Sequence, residues 1–501
     1  MPNRFRVIYN QDCTNLFGIV KEPIEPRHVD RMVNEVADGG ADLLLVNPNA
    51  QRVNYPSRVW QTFWDGYAPG RREFFGPVPD ADVPGREAWV SQMKRLADQG
   101  CDYLARALAR CRKKRITPGV TVRMNDMHDV PWPGSNLFGK FYMAHPELRL
   151  QNPSVCGWSA TGLNYEHKAV RDHYLALIRE LAGGYDFDVL ELDFLRFHCY
   201  FPRRDFDRHC AIMTGFVRDV RAILSESGRP IELMARVATH PAAAYELGFD
   251  VQAWAREGLV DIVSAGAFLN TSWGIAVDEF RSLVGDGVAV YACTDHSADR
   301  REGLHVRALP SDPRLLRGFA AGYLAAGADG VEFFNFFCTR EESPPRDPLF
   351  AVLRELRDLD GLRGQPKTYT VTSGWAVAEV DGAYQAPVAL PTTQPRAFHM
   401  FMAAEPAGTR VEADFLLAGK DDVRPDQLWL LVNSVPAGTA RTVLDVPAGE
   451  KCAAEKGAED KRMRIATFAL PAAALRDGRN VLVLRNEAAP LTVLSLDVRV
   501  G

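Results

Sequence analysis

A chain of 501 residues is too long for one compact core and predicts two or three domains. Its composition, 47% hydrophobic and 25% charged, is that of a globular protein and excludes disorder as the default state. A net charge of −5 without a long basic run leaves no electrostatic footprint for nucleic acid, and no apolar stretch approaches the length that spans a bilayer.

The first residues, Met1-Pro2-Asn3-Arg4-Phe5-Arg6, pass straight into a strand pattern with no signal-peptide hydrophobic region. Nine cysteines, odd in number and without a C-x-x-C pair, point to free thiols in a reduced, cytoplasmic setting. They do not suggest a disulfide framework or a zinc site. From residue 4 to about 360, short apolar runs alternate with longer amphipathic ones. Strands are predicted at 4–10, 42–46, 116–124, 189–194, 231–237, 261–264, 288–293 and 330–335, each followed by a helical pattern. Helix starts are marked by Pro26 after Glu25, by Asp312-Pro313 and by Asp347-Pro348. Helix ends are marked by Gly39-Gly40, Gly183-Gly184, Gly258 and Gly327. Eight such units predict a (β/α)8 barrel over residues 1–362, with a doubly wound open sheet as the alternative.

The long insertions follow the second and third strands. Residues 47–84 carry Tyr55, Trp60, Phe63 and Trp64, and residues 125–166 carry Trp132, Phe138, Phe141, Tyr142 and Trp158. Loops at the carboxyl ends of barrel strands carry function, so these aromatics are candidates for a sugar or leaving-group surface; they equally suit packing of their own loops. Gly361-Leu362-Arg363-Gly364-Gln365-Pro366 reads as a linker. Beyond it, over 367–501, the runs Val411–Leu417, Gln427–Val432, Asn480–Arg485 and Val493–Val500 and the turns Asp381-Gly382 and Asp477-Gly478 predict a β-sandwich with an accessory role.

Polar residues stand at the ends of the apolar strands, where a barrel would gather them at one mouth. Asp12 follows the first strand; Arg123, Asp126 and His128 close the third; Arg196 follows the fourth; Asn335 ends the eighth. Two arginines suit a substrate carboxylate, which a guanidinium grips with two parallel hydrogen bonds, or else they pair with Glu191, Asp193 or Asp126 as structural bridges. Asp12 suits a general base or an Asx turn. His128 suits a proton donor near neutral pH; with His145 and the flanking acids it also admits a metal reading. Asp193 and Glu332, on the fourth and eighth strands, form a competing carboxylate pair of the kind glycosidases use.

Together these segments resemble the inverting exo-sialidases of glycoside hydrolase family 156. The resemblance assigns the general base to Asp12 in Tyr9-Asn10-Gln11-Asp12. It assigns one carboxylate-binding arginine and the acid to Arg123 and His128, five residues apart in Arg123-Met124-Asn125-Asp126-Met127-His128. The second arginine is Arg196 in Leu192-Asp193-Phe194-Leu195-Arg196-Phe197, and Asn335 in Phe333-Phe334-Asn335-Phe336 matches an active-site asparagine. It implies release of terminal sialic acid from a sialylated glycan by single displacement, with no metal or organic cofactor and with Trp132 and Phe138 near the leaving group. The propeller sialidases are excluded, because no S-x-D-x-G-x-x-W box or blade-length repeat occurs. Two other functions stay open: a glycosidase for uronic-acid or neutral glycans using Asp193 and Glu332, and a catalytically silent carbohydrate-binding barrel. The barrel exterior is compatible with a homodimer.

Overall fold

The computed structural model describes residues 5–12, 14–151, 161–268, 271–298, 307–341, 344–371, 385–446 and 462–501. Trp158, the Asp381-Gly382 turn and the predicted strand start at residue 4 lie outside them.

Eight parallel strands form the first sheet: β1 (Val7–Gln11), β2 (Leu43–Val46), β3 (Thr117–Arg123), β4 (Val189–Asp193), β5 (Glu232–Val237), β6 (Ile262–Ala265), β7 (Ala289–Thr294) and β8 (Gly330–Phe333). Strand β8 pairs with β7 on one edge and with β1 on the other, so the sheet closes and the open doubly wound alternative falls. Side chains alternate along each strand, so every second residue enters the barrel. The amino-terminal end of the interior is apolar, filled by Phe5, Ile8, Leu43, Leu45, Val189, Met234, Ile262 and Tyr291. Two residues further along the same parity the character changes. Asn10, Thr121, Glu191, Arg236, Ser264, Cys293 and Glu332 are all buried. At or just past the carboxyl ends of the strands, again on that parity, stand Asp12, Arg123, Asp193 and Asp295. The site is therefore the top layer of a stack whose floor is hydrocarbon.

The helix starts follow their sequence signals in two cases of three. Pro26 opens the helix Pro26–Gly39, which stops at Gly40 with φ 100°. Asp312 caps Pro313–Ala325 by accepting from the Arg314 and Leu315 amides. Asp347-Pro348 does not open an α-helix. Asp347 binds Arg340 instead, and a 3-10 turn runs from Phe350 to Arg357. Among the described residues, no helix is long and apolar enough to cross a membrane.

Beyond the barrel come ten strands: β9 (Lys367–Val371), β10 (Val388–Leu390), β11 (Arg396–Met402), β12 (Val411–Gly419), β13 (Leu428–Val432), β14 (Val435–Thr439), β15 (Thr442–Asp445), β16 (Arg462–Leu470), β17 (Gly478–Asn486) and β18 (Leu491–Val500). They form two antiparallel sheets, one ordered β10-β18-β12-β16-β15 with β9 on β18, the other β11-β17-β13-β14. Phe398 of one sheet meets Phe415 of the other at 5.7 Å, inside a shared apolar core. Strands β9, β10, β11, β14, β15 and β16 are not among the predicted runs. In β16 the charged Arg462 and Arg464 break the apolar alternation, and Arg464 is nevertheless buried, at 3.2 Å from Asp445.

The tail docks on the helix Pro313–Ala325. Gly318 and Gly322 face the backbone of β9 and β11, and a Cβ on Gly318 would overlap the Thr368 carbonyl oxygen. Arg307 also reaches Asp497 of β18 at 2.8 Å. Overpacking at a tight contact costs about 1–3 kcal/mol and more where backbone must move. Gly318→Ala is expected to lower Tm and to increase protease cleavage at the 363–366 junction. An unchanged Tm with unchanged cleavage would mean that the helix and the tail are not tightly seated.

Candidate active site

The polar residues predicted from strand ends do converge. Arg123, the last residue of β3, donates from Nη2 to the Asp12 carboxylate and from Nη1 to Asp126 Oδ2 at 3.2 Å. Its side chain is 2% exposed, so the two carboxylates offset the desolvation of the guanidinium. Asp12 Oδ1 accepts from the Thr14 amide at 2.9 Å, which is the Asx turn, while Oδ2 faces the arginines. The turn and the site thus use different oxygens of one carboxylate. Burial opposes the ionised form of Asp12, but Arg123, then Arg196 and the Thr14 amide, outweigh it and hold the carboxyl below its ordinary range.

His128 lies above this pair. Its Nδ1 is 2.9 Å from Asp126 Oδ1, which also accepts from the His128 amide at 3.1 Å. Asp126 is 2% exposed; burial opposes its charge, yet His128 and Arg123 hold it well below the carboxylate range. A carboxylate at Nδ1 fixes the proton there and leaves Nε2 as the outward nitrogen. The ring stands edge-on to Phe197 at 5.0 Å.

Arg196 completes the group. Its Nη2 is 3.8 Å from Asp12 Oδ2 and 3.4 Å from His128 Nε2, so it stands between the two. Phe268 and Phe334 flank the guanidinium at 5.7 and 5.5 Å. Its Nε and Nη1 are buried and, among the described residues, unpaired. Arg123 is engaged by two protein carboxylates; Arg196 has donors left for something else.

Asn335 does not end strand β8. It lies two residues past Phe333 with φ 52°, a left-handed conformation that asparagine tolerates better than most residues. Its Nδ2 points to the Asp295 carboxylate at 3.3 Å, and its Oδ1 is unpaired among the described residues. Asp295 also binds His296 Nδ1 at 2.8 Å. Burial opposes its charge, but His296, with a contribution from Arg196, keeps the carboxyl below its ordinary range. The site thus has a second Asp–His pair on the β7 side, which the sequence reading missed although Asp295 shares the strand parity of Asp12.

The competing carboxylates sit lower. Asp193 is clamped by Arg236 at 2.7 Å and accepts from the Leu195 and Arg196 amides. Glu332 is fully buried, accepting from Asn10 at 3.0 Å and from Ser264 at 2.5 Å. Both oxygens of Glu332 are engaged, whereas every hydrogen bond to Asp193 falls on Oδ1. Arg236, absent from the sequence candidates, also lies against the Phe334 ring at 3.9 Å. The aromatic loops are largely self-packed. Tyr55, Phe63 and Phe138 are buried, with Phe138 stacked on Tyr142 at 4.9 Å, so Phe138 offers no ligand surface. His173 is sandwiched between Trp60 and Phe141 at 4.3 and 4.0 Å, and burial pushes it down to about 3. Trp132 stays partly exposed. His145 pairs with Glu147 at 2.9 Å and does not join His128.

No family model matches the chain, and no curated protein matches it. Among solved structures it is similar to α-L-fucosidase isoenzyme 2 from Paenibacillus thiaminolyticus, at 11% identity and TM-score 0.44 over 71% of this chain and 49% of that one. The chain therefore spans about half the length of the fucosidase. It is also similar to the PgaB (BpsB) glycoside hydrolase domain from Bordetella bronchiseptica, at 13% identity and TM-score 0.43 over 71% of this chain and 99% of that one. A third is a GH27 β-L-arabinopyranosidase from Geobacillus stearothermophilus, at 12% identity and TM-score 0.39 over 97% and 98%. At these identities and TM-scores the likenesses carry nothing about activity.

The depressed Asp126 carboxyl links the site to stability. A carboxyl lowered in the folded state stabilises fully above its unfolded value of about 3.9, and that share is lost as pH falls through the folded value. Asp126→Asn is expected to cost the most at pH 7, about 3–5 kcal/mol for a broken buried pair. The Tm gap to wild type should narrow below about pH 4. Thermal scans at pH 7 and pH 3 measure this; an equal gap at both would show that the charge is not its source.

Proposed function

We propose that the protein is a glycoside hydrolase, and specifically an exo-α-sialidase that acts by single displacement with inversion. The observation that carries this reading is the chain of contacts from Asp12 through Arg123 to Asp126 and His128, with Arg196 beside it keeping two buried N–H donors unpaired among the described residues. A carboxylate-bearing sugar is the ligand these donors suit, and the resemblance of these segments to family 156 points the same way.

Sialic acid carries its carboxylate on the anomeric carbon. Held by Arg196, with Arg123 alongside, that carboxylate sets the ring orientation and places the anomeric carbon beside Asp12. The arginines then divide their charge between two carboxylates. Asp12 loses part of the stabilisation that depresses it, and its basicity rises when substrate is present. Asp12 takes a proton from water as the water oxygen bonds to the anomeric carbon. The bond to the leaving oxygen breaks, and that oxygen receives the Nε2 proton of His128. Asp126 stabilises the imidazolium before the transfer and keeps the ring aimed. The buried, Arg236-bound Asp193 and the fully buried Glu332 do not support the alternative acid–base pair.

The test is release of a fluorogenic leaving group from a sialoside, compared with neutral and uronic glycosides, and proton NMR of the first-formed sugar. The expected results are turnover of the sialoside alone and the β-anomer first. A first-formed α-anomer would exclude single displacement, and binding without turnover of any substrate would favour a silent binding barrel.

The residues separate by substrate. General-acid help matters most for basic leaving groups and is worth on the order of 10²- to 10⁴-fold. His128→Ala should therefore cripple hydrolysis of a sialylgalactoside and largely spare an activated aryl sialoside, whereas Asp12→Ala damages both. Equal losses on both substrates for His128→Ala would remove the histidine from the acid role. The arginines should separate by stability. Arg196→Ala weakens sialic acid binding by about 2–5 kcal/mol with little change in Tm, because its donors are partly free. Arg123→Ala lowers both affinity and Tm, since it strands Asp12 and Asp126; calorimetry and thermal scans distinguish the two.

A further inference from the structure

We propose that Arg86, which lies in the insertion before β3 and outside the site, is a positioning residue: it clamps the loop that carries His128 and so sets the acid's aim. The inference rests on His128 being the acid.

Asp129 immediately follows His128. It takes φ 67°, a left-handed conformation that aspartate tolerates better than most residues, and its side chain is only 7% exposed. Its carboxylate is held from outside the loop. The holding group is Arg86 on the helix Val83–Asp98. Its Nη1 donates to Asp129 Oδ2 and its Nη2 to Asp129 Oδ1 at 2.8 Å, a two-point grip that fixes orientation as well as distance. Ser135 donates to the same carboxylate at 2.5 Å, and Asn136 Oδ1 accepts from Arg86 at 3.4 Å. Trp132 places its ring 5.7 Å from the guanidinium. The loop from Asp129 to Asn136 is therefore folded around one cation.

A second contact ties the same insertion to the same loop. Gly76 has φ 70°, and a Cβ there would overlap the Gly134 carbonyl oxygen. Residues 76 and 86 thus grip the histidine loop at two points. His128 is held on one side by Asp126, which fixes the ring and its own amide, and on the other by Asp129, which fixes the chain. A histidine on a loop needs both, since a displacement of about 1 Å can cost 10²-fold in rate.

The experiment compares Arg86→Met, Arg86→Lys and the isosteric Asp129→Asn with wild type and His128→Ala. Hydrolysis is measured on aryl sialosides graded in leaving-group acidity and on a sialylgalactoside, alongside Tm and the imidazole NMR signals assigned through His128→Ala. The expected result for Arg86→Met is a kcat on the sialylgalactoside reduced about 10- to 100-fold, with near wild-type kcat on the most activated aryl substrate and little change in KM. Rate should depend more steeply on leaving-group acidity, the His128 signals should shift, and Arg86→Lys should recover part of the loss. Asp129→Asn should repeat the pattern where Arg86→Met fails to fold. A steep dependence for His128→Ala with wild-type dependence and unshifted His128 signals in Arg86→Met and Asp129→Asn overturns the clamp and leaves the acid assignment standing. Flat dependence in every variant, with His128 signals shifted in Arg86→Met, overturns the acid assignment and leaves the clamp.

Discussion

The structure depends on how the barrel neutralises buried charge. Three carboxylates, Glu191, Asp193 and Glu332, enter the interior with one guanidinium, Arg236. Arg236 pairs with Asp193, and Glu191 is left facing Glu332 across Asn10, whose amide donates to both. Burial, reinforced by the charges of Glu332 and Asp193, pushes the Glu191 carboxyl well above its ordinary range. Thr121 and Ser264 add donors to Glu191 Oε1 and Glu332 Oε2 at 2.5 Å each, while Glu191 Oε2 has no partner among the described residues. A network of this kind is costly to disturb in any member, and that stiffness carries the mouth. Asp193 accepts from the Arg196 amide, and Arg123 follows Thr121 on the same face of the same strand. The geometry of the arginines is inherited from the layer beneath them.

In the mouth the same electrostatic rule yields function. Asp12 and Asp126 share Arg123, whereas Arg196 has around it two aromatic faces, His128 Nε2 at 3.4 Å and the Asp12 carboxylate at 3.8 Å. A guanidinium with buried free donors costs free energy in the empty protein. An anionic ligand removes that cost on arrival, so part of the binding energy is stored in the site before the ligand comes. In the proposed mechanism the exchange also raises the basicity of Asp12. Binding and activation of the base are therefore one electrostatic event, provided that the ligand is an anion.

Much of this was legible in the sequence, for physical reasons that can be stated residue by residue. The barrel strands are short, apolar and separated by helices with readable caps, so seven of the eight predicted ranges lie within two residues of those observed at either end. The first differs, since Arg6 lies before β1 and not in it. Asp12, Arg123, His128 and Arg196 stood out because charge at the end of an apolar run is conspicuous. Asp295 lies just past the end of β7 on the parity of Asp12, whereas Arg236 is inside β5 and His296 has the opposite parity. Asn335 was mistaken for a strand residue because nothing in Phe333-Phe334-Asn335 announces a left-handed turn. In the tail, buried Arg464 hid a strand behind its charge, and Asp347 looked like a cap although it serves Arg340. The Arg86–Asp129 pair joins residues 43 apart, and no local pattern encodes such a contact.

The long insertions are where local patterns fail and where the barrel gains specificity. Their aromatic residues could have formed a ligand platform. Instead Phe63, Phe138 and Tyr142 are buried in the loops themselves, and His173 is stacked between Trp60 and Phe141. This apolar packing makes the loops rigid enough to hold a charged group at the mouth's rim. It also explains why the histidine need not lie on a strand: Asp126 anchors it to the end of β3, and the packed insertion anchors it from outside. The ring is 38% exposed while both acids beside it are nearly buried, as the proposed acid role needs. One nitrogen is held by Asp126, and the other lies 3.4 Å from the Arg196 guanidinium.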